Sequence, residues 1–195
     1  MPPPPEQSAA NCSTPTYASD QLVCADPALL ALDHRMVRLL AAASSSVPAS
    51  LLHWFEPQAV WFRRRSRCAF SDRHAACLRA AYRERIEILS ALAGRAASQW
   101  RPAALPVVCN TAPWGNGPVR LHSSHEGPLN IEDNRGTVLV VASSLQPRDD
   151  WTPFLRIVME NEGIRLEPLE GSAVRCRFLH DQPPGEVAPP GHPPQ

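Results

Sequence analysis

The spacing of apolar residues changes once along the chain, from the three- and four-residue steps of a helix to the alternation of a strand. The clearest helical segment starts at Asp26-Pro27, where a capping carboxylate precedes a proline suited to the first helical position. Its apolar residues follow at helical steps: Leu29, Leu32, Met36, Leu39 and Leu40. The pattern predicts a helix that buries one face.

Two further helices are predicted in the first half. One runs from Ala49 to Arg67, and Pro57 inside it should kink it because proline lacks the backbone N–H donor. The other begins after Asp72, a residue that can cap it. Its apolar side is long and comprises Cys77, Leu78, Ala81, Tyr82, Leu89 and Leu92. The three helices predict a small bundle.

After Pro106 the apolar residues alternate with polar ones. Val174, Cys176 and Phe178 face one side and are interleaved with arginines, which predicts a half-buried strand whose cysteine points inward. Further strands are predicted at residues 137–142, 154–160 and 164–169. Turn-like triplets connect them: Asn134-Arg135-Gly136, Asn161-Glu162-Gly163 and Glu170-Gly171-Ser172. We expect antiparallel hairpins, and an α+β fold for the whole chain.

Proline-rich stretches divide the chain into regions. Residues 1–10 and 182–195 are predicted to be disordered or extended. Residues 94–106 are interrupted by glycine and proline and form the predicted linker. A helical domain at 11–93 and a small antiparallel β domain at 107–181 are expected on either side of it.

The six cysteines indicate the cellular compartment. Zinc sites favour short spacings, whereas successive cysteines here pair at separations of 12, 9 and 67 residues. An even number without a C-x-x-C motif favours structural disulfides, although six buried thiols remain the alternative. Of the fifteen possible pairings we expect the nearest-partner one: Cys12 with Cys24, Cys68 with Cys77, and Cys109 with Cys176. The first would tie down an irregular N-terminal segment.

Disulfides predict a periplasmic or secreted protein, but residues 1–6 lack the charged and apolar segments of an export signal. Either the signal is left out of this sequence, or its start is misassigned, or the chain is cytoplasmic and the disulfide interpretation is wrong. No segment is apolar enough for a transmembrane span.

Charge is unevenly distributed, although the formal net charge is zero. Residues 1–100 hold 11 arginines and 8 acids, and residues 101–195 hold 8 arginines and 11 acids. The run Arg63-Arg64-Arg65-x-Arg67 suggests nucleic-acid binding at first sight. On a helix these side chains spread around the axis, and Glu84 and Glu87 are available to pair with them. We expect a solvated helix end and no nucleic-acid partner.

One sequence of motifs in the first half is specific. It comprises Cys12, Cys24-Ala25-Asp26-Pro27-Ala28-Leu29, Ala31-Leu32-Asp33, Gln58-x-x-Trp61-Phe62-x-x-Arg65, Cys68, Cys77-Leu78, Tyr82 and Arg85-Ile86. This order resembles the N-terminal domain of the lysozyme inhibitor LprI-like proteins over about residues 11–92. The resemblance implies an exported bacterial envelope protein, in some members a lysozyme inhibitor, without catalysis of its own. It also implies structural roles for Asp33, Gln58, Trp61, Arg65 and Arg85.

The second half is similar in outline to the membrane-bound inhibitors of c-type lysozyme. A β unit runs from Cys109 to Cys176 and ends in a glycine-led strand pair, Gly163-Ile164-Arg165-Leu166 and then Val174-Arg175-Cys176. The Ser-Gly-x-x-Tyr and Phe-Trp-x-x-Gly segments of that family are absent.

A lysozyme partner would be strongly basic and would present two cleft carboxylates. The loop that starts at Gln146 combines acids, an arginine and an aromatic side chain, which would suit such a surface. Its candidate partner-binding residues are Arg148, Asp149, Asp150 and Trp151. The alternative is a solvated turn with Trp151 packed in the core.

A metal-dependent hydrolase is a third possibility, built on His122, His125 and Glu126. On a strand, positions 122 and 125 point to opposite faces, and no distant third ligand is suggested. We therefore expect no metal, no cofactor and no enzymatic activity. The predicted function is lysozyme inhibition by occlusion of the active-site cleft, and the alternative is an envelope interaction or structural module unrelated to lysozyme.

Overall fold

The fold is helical in its first half and a β-sheet in its second half, as the sequence predicts. It was obtained as a computed structural model, which describes residues 7–43, 54–93, 104–110, 112, 114–123, 128–143, 145–147 and 150–179. The helices are α1 (Ala18–Ala25), α2 (Pro27–Ala43), α3 (Gln58–Ser66) and α4 (His74–Ala93), with a short 3₁₀ helix, Arg67–Phe70, between α3 and α4. The strands are β1 (Ala104–Cys109), β2 (Pro118–Ser123), β3 (Leu129–Glu132), β4 (Val138–Ala142), β5 (Leu155–Glu160), β6 (Gly163–Pro168) and β7 (Val174–Phe178).

Helix α2 begins as its sequence predicts. Asp26 Oδ1 accepts hydrogen bonds from the backbone N–H groups of Ala28 at 2.8 Å and Leu29 at 3.3 Å. These two bonds satisfy donors that have no partner inside the first turn. Leu29 and Met36 are buried, so the predicted apolar face is the face that packs.

Three details of the helical half differ from prediction. The segment between Cys12 and Cys24 was expected to be irregular, but α1 begins within it at Ala18. Helix α3 begins after Pro57 and is not kinked by it, because proline fits a helix start without losing a hydrogen bond. Asp72 is exposed and does not cap α4; Ser71 Oγ accepts the bond from the Arg73 N–H.

The seven strands form one antiparallel sheet in the order β4-β3-β2-β1-β7-β6-β5. The edge strands β4 and β5 are consecutive in sequence and contact each other, so the sheet curls around its own core. Strands β2 and β3 were not predicted. They are short, and their apolar residues are broken by His122 and Asn130, which hides the alternation.

Three disulfides join the predicted nearest-partner pairs: Cys12–Cys24, Cys68–Cys77 and Cys109–Cys176. The second connects the 3₁₀ helix to α4, and the third joins directly opposite residues of β1 and β7. No cysteine is free.

Gly163 was predicted both to end a turn triplet and to lead a strand; it is the first residue of β6 and pairs with Glu160 of β5. The turn is therefore only two residues long, Asn161-Glu162. An added Cβ at position 163 would lie 1.9 Å from the carbonyl oxygen of Cys176. Only glycine permits this approach of two backbones.

The two halves share side chains with each other's core. Trp54, which precedes α3, packs with Trp114 in the sheet's core. In the other direction, Val138, Val141 and Trp151 of the sheet half pack into the helical core. The predicted domain boundary thus separates two types of secondary structure, whereas the apolar packing crosses it.

Candidate functional site

A buried ionic cluster lies where α4 meets the sheet, and Glu84 is its centre. Glu84 Oε2 accepts hydrogen bonds from Arg64 Nη2 at 3.0 Å and from Trp151 Nε1 at 2.7 Å. Its Oε1 accepts the backbone N–H of Phe154 at 2.6 Å. All three donors approach one carboxylate that is 1% exposed. Most of the hydrogen-bond-accepting capacity of this carboxylate is therefore used within the protein.

Arg64 connects this carboxylate to the rest of the interface. It donates two bonds to Glu56, at 2.8 and 2.7 Å, and one to the carbonyl oxygen of Thr152 at 2.6 Å. Its guanidinium carbon lies 3.9 Å from the centre of the Trp151 ring. Arg64 was expected on a solvated helix end, so that expectation was wrong for this residue: the segment that follows residue 150 covers it.

Electrostatics in the cluster are governed by burial. Burial raises the pKa of Glu84, while Arg64 and the Phe154 N–H act in the opposite direction. For Arg64 burial alone would lower the pKa, but its bonds to Glu56 and Glu84 outweigh that effect and raise it. Neighbouring Arg85 has its pKa lowered by burial to about 10.

A second buried network uses Arg65 and Asp33, two of the residues for which the sequence predicts structural roles. Arg65 donates to Asp20 and to the hydroxyl of Tyr82, and the Tyr82 hydroxyl donates to Asp33 Oδ1 at 2.8 Å. Asp33 also accepts the backbone N–H of Ala10 at 3.1 Å. Burial raises the pKa of Tyr82, Arg65 opposes the shift, and Asp33 adds to it. The network fixes the N-terminal segment to the bundle.

The remaining motif residues lie beside it. Arg85 donates two bonds to Gln58 Oε1, at 2.9 and 2.6 Å, and one to the carbonyl oxygen of Glu56 at 2.8 Å. Trp61 is fully buried and contacts the Tyr82 ring edge-on. Asp33, Gln58, Trp61, Arg65 and Arg85 are all engaged inside the helical half, which leaves them no role at an exposed surface.

Three acids that shape these networks, Asp20, Glu56 and Glu84, were not singled out from the sequence as candidate site residues. One signal was available for Glu56. It lies between the aromatic Trp54-Phe55 pair and Pro57, and a carboxylate in an apolar stretch usually has a buried cationic partner.

The predicted partner-binding loop is only partly described. Arg148 and Asp149 lie outside the described residues. The Asp150 side chain is 5% exposed and lies 3.7 Å from Arg73 Nη2. Trp151 is 5% exposed and is held by Glu84, so the indole packs inside as the alternative interpretation expected.

The predicted metal residues are also partly described. His125 and Glu126 lie outside the described residues. His122 is 8% exposed on β2, with its Nε2 3.5 Å from Glu132 Oε2. Within the described ranges, no three His, Cys, Asp or Glu side chains are grouped in a way that would hold a metal ion.

In the helical half, most of the described acids are buried and most of the described arginines are exposed. Four of its seven described acids are buried: Asp20, Asp33, Glu56 and Glu84. Arg64 and Arg65, which are also largely buried, form ion pairs with these acids, and buried Arg85 donates to Gln58 and to the Glu56 carbonyl oxygen. Seven described arginines of this half remain exposed: Arg35, Arg38, Arg63, Arg67, Arg73, Arg79 and Arg83. The surface of the helical half is therefore strongly basic.

The sheet half presents a different surface at the β5–β6 turn. An open groove of about 410 Å³ is lined by Val108, Glu162, Arg177, Phe178 and Leu179. The turn is closed by the Phe178 N–H, which donates to the carbonyl oxygen of Glu162 at 2.8 Å. Next to it Met159 is 55% exposed and Glu160 is exposed. We call Met159, Glu160, Glu162, Arg177 and Leu179 the hairpin end.

None of the helices in the described part of the chain has the length and apolar character of a membrane span. Comparisons of the chain with protein-family models, with curated proteins and with solved structures find no match.

Proposed function

We propose that the protein is exported and non-catalytic, and that it binds lysozyme and inhibits it by covering the active-site cleft. The hairpin end carries the proposal, because there an arginine, two acids and exposed apolar side chains lie together at one end of a rigid sheet. We assign partner binding to the hairpin end and not to the predicted loop at residues 146–151, because Trp151 of that loop is packed inside.

The disulfides support a location outside the reducing cytoplasm. Every cysteine of the chain is paired, and two of the three pairs are at most 2% exposed. Structural disulfides persist in oxidising compartments and are rare where thiols are kept reduced. A partner met in the envelope or outside the cell is consistent with this chemistry.

The chemistry of the hairpin end suits a basic enzyme with an acidic cleft. Glu162 is exposed and would attract a positively charged rim, whereas Glu160 is already paired with Arg165 at 3.1 Å. Arg177 is exposed and has no acidic partner within the described residues, so its guanidinium is available to cleft carboxylates. Leu179, which is 44% exposed, supplies apolar contact two residues from it, while Met159 lies on the opposite face of the sheet.

The helical half is a poor surface for the same partner. Its seven exposed arginines would repel a strongly basic protein, because like charges brought together at an interface cost free energy. The described sheet half exposes four arginines and three glutamates, so it would repel a basic partner less than the helical half and is favoured as the lysozyme-binding part.

Lysis of bacterial cells by c-type and g-type lysozymes, measured with micromolar oxidised protein, tests the proposal. We expect inhibition of at least one type. Leu179→Ser and Arg177→Gln should each weaken inhibition about tenfold or more, as truncation of a central interface residue does.

Matched controls come from the same sheet. Leu169 is 42% exposed but lies after β6, at the opposite end from the β5–β6 turn, so Leu169→Ser should leave inhibition unchanged. Arg135→Gln changes an exposed arginine of the β3–β4 turn, which lies outside the groove, and it should likewise leave inhibition unchanged. If micromolar protein inhibits neither lysozyme type, an envelope interaction module unrelated to lysozyme becomes the better assignment. Stoichiometric zinc in the purified protein would instead favour the hydrolase.

A further inference from the structure

We propose that the helical half docks on the surface of an anionic phospholipid bilayer through Phe70 and the arginines around it. This proposal does not depend on lysozyme binding, because the two surfaces lie in different halves of the chain. We call Arg67, Phe70, Arg73, Arg79 and Arg83 the Phe70 face.

Phe70 is 84% exposed, the highest value among the large apolar side chains that the structure describes as exposed. It ends the 3₁₀ helix Arg67–Phe70 between α3 and α4. The Cys68–Cys77 disulfide ties this short helix to α4. Because the ring is held out on a cross-linked turn, little conformational freedom is lost when it inserts into another phase.

Arginines surround the ring. In a 3₁₀ helix residues i and i+3 lie one above the other, so Arg67 and Phe70 share a side. Both line an open depression of about 450 Å³ together with Ser71, Asp72, Arg73 and Asp150. Arg73 lies 3.7 Å from Asp150, and Asp72 is the other acid of this depression.

The basic surface continues along α4. Arg79 and Arg83 are one turn apart and exposed, and they line a second depression of about 170 Å³ with Ala76, Ala80, Leu145, Gln146 and Trp151. Asp150 borders the first depression and Trp151 the second, so the two are adjacent. Neither Arg79 nor Arg83 has an acidic partner among the residues whose placement is described.

A bilayer fits this surface better than a protein does. A specific protein interface buries roughly 800 Å² on each side around clustered apolar residues. Among the described residues, the other exposed large apolar side chains lie in the sheet half: Leu105, Met159, Leu169 and Leu179. A single exposed aromatic ring beside several arginines instead fits an anchor at the membrane interface. In such an anchor the ring enters the headgroup boundary while the cations contact phosphates.

Co-sedimentation of the full, oxidised chain with vesicles tests the proposal. Vesicles of equal parts phosphatidylglycerol and phosphatidylcholine should bind the protein, and pure phosphatidylcholine should not. Phe70→Ser should weaken binding about tenfold, as expected for partial burial of an aromatic ring. Arg67→Gln and Arg83→Gln should each weaken it about fivefold, and Asp72→Asn should strengthen it.

Control variants test whether vesicle binding requires the Phe70 face or follows from any exposed arginine or apolar residue. Leu105→Ser and Arg175→Gln change exposed residues of the sheet, with Leu105 45% exposed, and should leave vesicle binding unchanged. Unaltered thermal unfolding of the variants would show that the fold is intact. Absence of binding to the anionic vesicles, equal binding to neutral vesicles, or wild-type binding by Phe70→Ser would each overturn the proposal. The first of these results would point to an acidic protein partner.

Discussion

Trp151 and Glu84 are 67 positions apart in the sequence and are joined by a 2.7 Å hydrogen bond from the indole N–H to the carboxylate. The same carboxylate accepts from Arg64 of α3 and from the N–H of Phe154, the residue before β5. One buried acid therefore connects two helices to the segment that leads into the sheet. Loss of any donor leaves part of a buried charge without a partner.

Trp151→Phe tests the contribution of this bond. The substitution keeps most of the ring but removes the N–H, so Glu84 loses one partner in a site that water does not reach. We expect the free energy of unfolding to fall by about 1–3 kcal/mol, measured by denaturant titration. Trp54→Phe is the control, because Trp54 is 7% exposed and its indole nitrogen has no hydrogen-bond partner. Equal losses in both variants would contradict a specific role for the bond.

Gly163→Ala tests the close approach of β6 to β7. The new methyl group would meet the Cys176 carbonyl oxygen at 1.9 Å, and a backbone atom cannot move aside as the end of a side chain can. We expect a loss of about 3 kcal/mol, at the upper end for overpacking, seen as a lower midpoint in thermal unfolding. At Gly117 no atom lies within 4 Å of an added Cβ, so Gly117→Ala should be nearly neutral. A tolerated alanine at 163 would show that the strands can separate.

Replacing each cysteine pair by alanine tests the ranking of the disulfides. In the chain-entropy description the 67-residue loop closed by Cys109–Cys176 contributes about 4 kcal/mol. The Cys12–Cys24 and Cys68–Cys77 bridges close much shorter loops and contribute about 3 kcal/mol each. Denaturant unfolding of the three double variants should therefore find the β1–β7 pair the most costly. A reversed order would mean that the bridges act mainly through native-state contacts.

Tyr82→Phe tests the buried hydroxyl network through its pH dependence. Burial raises the pKa of Tyr82 above its ordinary value of 10.0. The unfolded chain then loses this proton at a lower pH than the folded protein, so the stabilising contribution is complete below pH 10 and declines as pH rises above it. We expect the wild type to lose stability there more steeply than the variant, as measured by unfolding at a series of alkaline pH values. Parallel pH profiles would contradict the assignment.

Much of the secondary structure was predictable because its signals are local. The capped start of α2 and the alternation in β7 each depend on a few neighbouring residues, and the structure confirms both. Helix α1 and strands β2 and β3 were missed. Their apolar patterns are short and interrupted, and they are held mainly by the elements packed against them.

The candidate surfaces depended on information that no local pattern contains. Trp151 combined an aromatic ring with neighbouring acids and resembled an exposed anchor, yet Glu84 and Arg64 enclose it. The sequence did not indicate that Phe70 is exposed, because a single phenylalanine in a polar stretch normally packs inside. Only the arrangement of α3 and α4 leaves it outside.

The sequence by itself determined the α+β class and the order of helices before strands, because residue spacing fixes the backbone period before any tertiary contact forms. The nearest-partner cysteine pairing was one expectation among fifteen possible pairings, and the tertiary structure confirmed it. The tertiary structure alone decided which charges are buried and which face solvent. Burial of a charge is favourable only when remote segments supply its partners, as residues 150–154 do for Arg64 and Glu84. The same sorting leaves a basic helical surface and a mixed acidic and apolar hairpin end, and these are the two surfaces through which we expect the protein to act.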